Sequence, residues 1–121
     1  MKTVVLIFLG GGLGSVFRFL ISNYTQKFWT VNNFPLGTLL VNILGCFLMG
    51  IFIAFFIKID HQLKYFLIAG FCGGLTTFST FSAENYSLYH SGNYYMLFLY
   101  LFLSIFLGLA AIAIGMSIFK N

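Results

Sequence analysis

Apolar residues run together in this chain in four long blocks, separated by short polar stretches. A helix needs about 20 apolar residues to cross the hydrocarbon core of a bilayer. The blocks at about 3–22, 35–57, 63–86 and 94–119 all reach that length. The pattern predicts an all-α membrane protein, a single transmembrane domain over residues 1–121 with four membrane-spanning helices. Lys2 ahead of the first block resembles the start of a signal peptide. That run, however, passes through a glycine cluster to Arg18 with no small-residue cleavage site, so it is expected to be the first span.

The polar stretches predict the connections. Residues 23–34 carry Tyr24, Phe28 and Trp29, aromatics suited to the headgroup layer. Asn33 is expected to cap the second helix, with Pro35 in its first turn. Residues 58–62 and 87–93 read as tight polar turns, the second bending at Gly92. Connections this short make successive spans antiparallel neighbours. His61 and His90 fall in these turns and are expected to be solvated rather than to bind metal. Lys2, Lys58, Lys64 and Lys120 gather on one side, against Lys27 and Arg18 on the other. The excess favours cytoplasmic termini, by a margin small enough to allow insertion both ways.

Composition narrows the class. Hydrophobic residues make up 60% of the 121, and charged residues only 7%. Soluble domains carry about 25% charge, so a water-soluble exterior is excluded. Disorder needs low hydrophobicity and is excluded too. The net charge of +4 comes from scattered residues, with no cluster to track a nucleic-acid backbone. Cys46 and Cys72 sit in apolar runs and read as small buried hydrophobes rather than a disulfide or a metal site.

Against this background, polar residues inside the spans carry the functional signal. Gly10, Gly11, Gly12 and Gly14 lead to Arg18 on span one. The glycines suit close helix packing. Arg18 either snorkels to water or electrifies a vestibule. Asn42 shares a face of span two with Thr38 and Gly45. Its amide either bonds a neighbouring helix or offers an N–H to a desolvated anion. Span three holds GFCGGLTTFSTFSAEN at 70–85, where glycines precede a run of hydroxyl residues. It reads as a helix broken near its centre, or as a glycine-kinked helix packed through hydroxyls. Irregular backbone at that depth survives only within protein or beside a cavity. Phe78 and Phe81 interleave with those hydroxyls, and ring edges carry positive quadrupole charge. Glu84 lies toward the same membrane side as Arg18, and an ion pair between them would account for both charges.

Three stretches, GGGLGSVFR (10–18), PLGTLLVNILG (35–45) and GFCGGLTTFSTFSAE (70–84), are similar to the Fluc (CrcB) family of fluoride channels. The resemblance covers the whole chain and is weakest in the fourth span. It implies a four-helix subunit in an antiparallel, dual-topology homodimer with two pores, in the bacterial inner membrane. The family's pore asparagine falls on Asn42 and its pore phenylalanines on Phe78 and Phe81. Pathway hydroxyls fall on Ser79 and Thr80, with Glu84 near one mouth and Arg18 near the other part of the pathway. Tyr100 and Ser104 are plausible polar lining from the fourth span. A structural Na⁺ is implied at the dimer centre, held by main-chain carbonyls of Gly73 and Thr76.

The residues supply a mechanism for such a channel. Fluoride is small and strongly hydrated, and conduction needs exit as well as entry. The Asn42 amide, hydroxyls and ring edges offer many weak donors where a fixed cation would hold the ion. Physics reaches a small-anion pathway, and the family resemblance names the ion. A small proton-coupled exporter of organic cations is the alternative. It would need a membrane-embedded carboxylate, and Glu84 is off-centre. A membrane enzyme would need converging acids or histidines, and Asp60, Glu84, His61 and His90 are too dispersed.

Overall fold

A computed structural model describes residues 1–28 and 34–119. Trp29, the expected cap Asn33 and Lys120 lie outside the described residues. The chain forms α1 (Lys2–Phe28), α2 (Leu36–Lys58), a π-helix (Tyr65–Cys72) continued by the single turn α3 (Gly73–Leu75), then α4 (Ser79–His90) and α5 (Tyr94–Ser117). The π-helix, α3 and α4 together make the third span, Tyr65–His90. Four helices are thus long and apolar enough to cross a membrane.

The first helix runs six residues past its expected end at Ser22. Rings of Tyr24 and Phe28 in tilted contact, 4.7 Å apart, and a buried Thr25 hold the extension. The added turn carries Gln26, whose Oε1 accepts the Gly37 N–H at 2.9 Å. A side chain from α1 therefore caps α2, which has no side-chain cap of its own at Pro35.

Glycine contacts set the helix spacing. Along α1, Gly10 and Gly14 meet Gly70 and Gly74 so closely that a Cβ on Gly14 would stand 2.9 Å from Leu75 N. Gly50 of α2 and Gly115 of α5 close a second seam. The break in span three lets one crossing change partners: its first half packs on α1 and its second on α5. At the end of α4, Asn93 N–H returns to Leu88 O and Gly92 N–H to Tyr89 O, the paired bonds of a Schellman cap. Gly92 takes the left-handed φ of 79° that this cap requires. The other turn is held by His61, whose Nδ1 accepts the Leu63 N–H, and by a 2.8 Å Lys64–Asp60 ion pair.

Where α2, α4 and α5 converge, Phe34, Leu39, Leu88 and Tyr100 form a small buried core. Many other large apolar side chains face outward, as a bilayer allows.

Candidate functional site

The site is built around the break. Thr76 turns extended, with φ −86° and ψ 158°, and ends the helical run. That turn leaves main-chain groups without their i→i+4 partners, at a depth where water cannot serve them. Side chains replace those partners. Thr76 N–H keeps its helical bond to Cys72 O at 3.1 Å, and Thr76 Oγ1 donates to the same oxygen at 3.1 Å. Arg18 Nε donates to Gly74 O at 3.1 Å. Asn42 clasps Thr77 at two points: its Oδ1 accepts Thr77 N–H at 2.8 Å, and its Nδ2 donates to Thr77 O at 3.3 Å. Thr77 Oγ1 then accepts Thr80 N–H at 3.2 Å and caps α4.

Thr77 is the residue that sequence reasoning passed over. Its N–H, carbonyl and hydroxyl are all engaged. The available signal was a threonine just ahead of the helix start, whose hydroxyl can accept a nearby main-chain N–H.

Three recesses flank these groups. One, of about 380 Å³, brings together Asn42, Phe78, Phe81, Ser104, Thr76 and Thr77. A second, about 240 Å³, holds Arg18, Ser22, Thr38 and Thr80 and also touches Thr77. A third, about 370 Å³, holds Glu84 with Ser87, Ser91 and Asn93. Gln26 borders the second and third, and Thr77 borders the first and second. Thr77 and its Asn42 clasp thus form the partition between an arginine-bearing recess and an aromatic one.

Within the aromatic recess the Phe78 and Phe81 rings lie 6.1 Å apart at 40°. Phe78 is 79% exposed on the single chain. Phe81 packs on Tyr100 at 5.0 Å. Ser104 Oγ is buried with no protein hydrogen-bond partner among the described residues. Tyr100 is fully buried, and its hydroxyl donates to Glu84 Oε1 at 3.0 Å. Thr38, itself buried, lines the arginine-bearing recess. Ser79 is exposed, with its hydroxyl 3.4 Å from that of Thr77, and borders none of these three recesses.

The anticipated Arg18–Glu84 ion pair does not form. Arg18 is drawn to the freed Gly74 carbonyl, while Glu84 on α4 faces Tyr100 of α5. The freed carbonyl is a buried acceptor that needs a donor, so the break takes up the guanidinium.

Two main-chain oxygens lose their helical donors at the break. In an unbroken helix Gly73 O would accept Thr77 N–H, and Thr76 O would accept Thr80 N–H. Those donors go to Asn42 Oδ1 and Thr77 Oγ1. Both carbonyls are therefore released, and Gly73 is exposed at the protein surface.

The family description "CrcB-like protein, Camphor Resistance (CrcB)" matches residues 5–116. The chain belongs to the CrcB family. A protein of Flavobacterium psychrophilum named "Fluoride-specific ion channel FluC" is 47% identical over 100% of this chain and 99% of its own length. Proteins of that name from Phocaeicola vulgatus (48% identical, over 95% of this chain and 96% of theirs) and Azobacteroides pseudotrichonymphae (46%, over 95% and 94%) are similar along their length as well. These CrcB-family relatives are named as channels rather than enzymes. Across the chain, the family match takes in Arg18, the Asn42–Thr77 clasp and the two phenylalanines.

Proposed function

We propose that this protein is a fluoride-selective channel that passively exports fluoride from the cytoplasm across the cell membrane and so lowers its toxicity. The observation that carries the reading is the state of the Asn42 amide. An amide nitrogen has two protons. One goes to Thr77 O, which fixes the amide plane; the second has no protein partner among the described residues, and Asn42 borders the recess shared with Phe78, Phe81 and Ser104. The recess thus brings together an anchored amide and ring edges, with the unpartnered Ser104 hydroxyl buried in its wall, none of them formally charged. These donors replace a hydration shell in small increments, so the ion is not trapped. Arg18 lends positive potential to the adjoining recess, and its bond to Gly74 O moderates its grip on an anion. Thr80 lines that recess, while Glu84 and Tyr100 form a polar pair toward the mouth.

The working unit in this reading is an antiparallel, dual-topology homodimer. Phe78 lies in a membrane-crossing element, yet most of its surface is bare on one chain, which supports a second subunit across it. The Gly73 and Thr76 carbonyls fit a hard cation such as Na⁺, which oxygen ligands suit. Two carbonyls from each copy would hold that ion at the dimer centre, where it would supply structural cross-linking.

Fluoride efflux from liposomes carrying the purified protein, compared with chloride efflux, tests the assignment. Fast fluoride loss with little chloride loss is expected. Equal rates, or none, would overturn the channel reading. Drug-driven proton flux would instead favour the exporter of organic cations.

A further inference from the structure

Thr77 is absent from the pathway residues that the sequence suggested, yet three pathway groups depend on its placement. Its main chain is gripped from α2 by Asn42, through the bonds at 2.8 and 3.3 Å. Next to that clasp, Gly45 leaves room for Thr76, because a Cβ there would collide with Thr76 Cγ2. The Thr77 side chain works in the other direction, along the chain. Its Oγ1 accepts Thr80 N–H at 3.2 Å, and Ser79 Oγ lies 3.4 Å away as a weaker neighbour. A threonine in this position satisfies one of the first main-chain donors of a helix. The two bonded residues, Thr77 and Thr80, directly precede Phe78 and Phe81. Fixing the interval from Thr77 to Thr80 therefore fixes the main chain that carries both rings, whose centroids lie 6.1 Å apart.

We propose that the Thr77 hydroxyl is a positioning group of the anion pathway: by capping α4 it holds the Thr77 peptide in the plane that Asn42 grips, and so aims the remaining Asn42 N–H. The proposal rests on the channel reading and deepens it. Thr77 stands between the extended Thr76 and α4, where side chains rather than a helical ladder hold the main chain. Without the hydroxyl, Thr80 N–H loses this acceptor and the Thr77 peptide is released to swing. The clasp swings with it, and the amide plane that the clasp fixes is lost. Thr77 also borders both the arginine-bearing and the aromatic recess, so direct contact with the ion is the competing role. The two roles differ in their dependence on Asn42. A group that acts through the amide matters little once the amide is gone, whereas a direct contact keeps its cost.

The test combines flux with hydrogen exchange. Fluoride efflux from proteoliposomes is measured for wild type, Thr77→Val, Thr77→Ala, Thr77→Ser, Asn42→Ala, and Thr77→Val combined with Asn42→Ala, with gel filtration as the check on fold and assembly. Hydrogen exchange followed by mass spectrometry reads the first turn of α4 in the same proteins. Thr77→Val and Thr77→Ala are expected to lose about 5- to 30-fold in flux, the range of a lost threonine cap, with elution unchanged and first-turn exchange faster. Thr77→Ser keeps the acceptor and should stay within about twofold of wild type. On the Asn42→Ala background, Thr77→Val should cost little further flux. Undiminished flux in Thr77→Val, a Thr77→Ser protein as impaired as Thr77→Val, or a full loss on the Asn42→Ala background would each overturn the proposal. So would loss of fold in both Thr77→Val and Thr77→Ala, which would make the hydroxyl a requirement of folding rather than of the pathway. A wild-type protein that passes no fluoride would refute the channel reading instead, while first-turn exchange unaltered by Thr77→Val would refute the cap itself.

Discussion

Replacing Asn42 with alanine separates two jobs that one side chain performs. The first is the clasp, with bonds of 2.8 and 3.3 Å to the Thr77 main chain. Side-chain hydrogen bonds between membrane helices are worth about 0.6–2 kcal/mol. Leaving the Thr77 N–H buried without an acceptor costs about 1–3 kcal/mol. Together these put the loss of stability near 2 kcal/mol. The second job is the free N–H. A hydrogen bond to a charged group is worth about 1.5–3 kcal/mol. If fluoride makes that bond at its barrier, flux should fall roughly 10- to 150-fold at about 1.4 kcal/mol per decade. Asn42→Asp divides the two effects. A carboxylate still accepts Thr77 N–H but has no N–H to give, and it adds a negative charge to the recess. It should keep more of the fold than Asn42→Ala and pass less fluoride. Fluoride efflux from liposomes, paired with thermal unfolding in detergent, reads both. An Asn42→Asp protein with near-normal flux, or a folded Asn42→Ala protein within threefold of wild type, would remove the amide from the pathway.

The remaining predictions address neighbouring features. Phe81→Ile removes a ring that contacts both Phe78 and Tyr100. It should lower fluoride flux while gel filtration shows an unchanged assembly. Gly14→Ala pushes a Cβ against main-chain atoms of Phe71 and Leu75 and should destabilise by about 1–3 kcal/mol in thermal unfolding. Gly12→Ala meets nothing within 4 Å and should be neutral, or stabilising by up to about 1 kcal/mol through helix propensity. In the exposed turn, the hydrogen bond and charge of Lys64 hold the Asp60 carboxyl below its ordinary range. A carboxyl lowered in the folded state stabilises above the ordinary range and loses that effect as pH falls through the lowered value. NMR titration should find Asp60 low in wild type and returned upward in Lys64→Gln, and high salt should reduce the difference.

The long blocks of apolar residues made the four crossings legible, because length and hydropathy alone decide them. The break was legible for a related reason: Gly70, Gly73 and Gly74 followed by Thr76 and Thr77 disfavour a continuous helix at a depth that punishes irregularity. The means of stitching the break was not legible. Arg18 and Gly74 are 56 positions apart, and Asn42 and Thr77 are 35 apart. No local pattern encodes which distant side chain reaches a freed main-chain group. The extra turn of α1 was hidden because its polar residues resemble a loop, whereas Gln26 is spent on the start of α2.

The stitching shows Asn42 as helix glue, and the proposed role as anion donor stands beside it. The two readings need not compete. An amide that swung freely would lose part of its interaction with an ion to the entropy of being aligned. Binding both Thr77 groups fixes the amide plane, and geometry then directs the remaining N–H without further cost. The same bonds free the Gly73 carbonyl by taking the Thr77 N–H that an intact helix would have given it. One contact therefore orients the proposed anion donor on one side of the break and releases the proposed cation ligand on the other. A variant that loses the clasp should lose both proposed properties together: if Na⁺ stabilises a wild-type dimer, Asn42→Ala should lower that sodium dependence along with its fluoride flux. A folded Asn42→Ala protein whose assembly responds to sodium as strongly as wild type would show that the two sides of the break are independent and that this coupling is wrong.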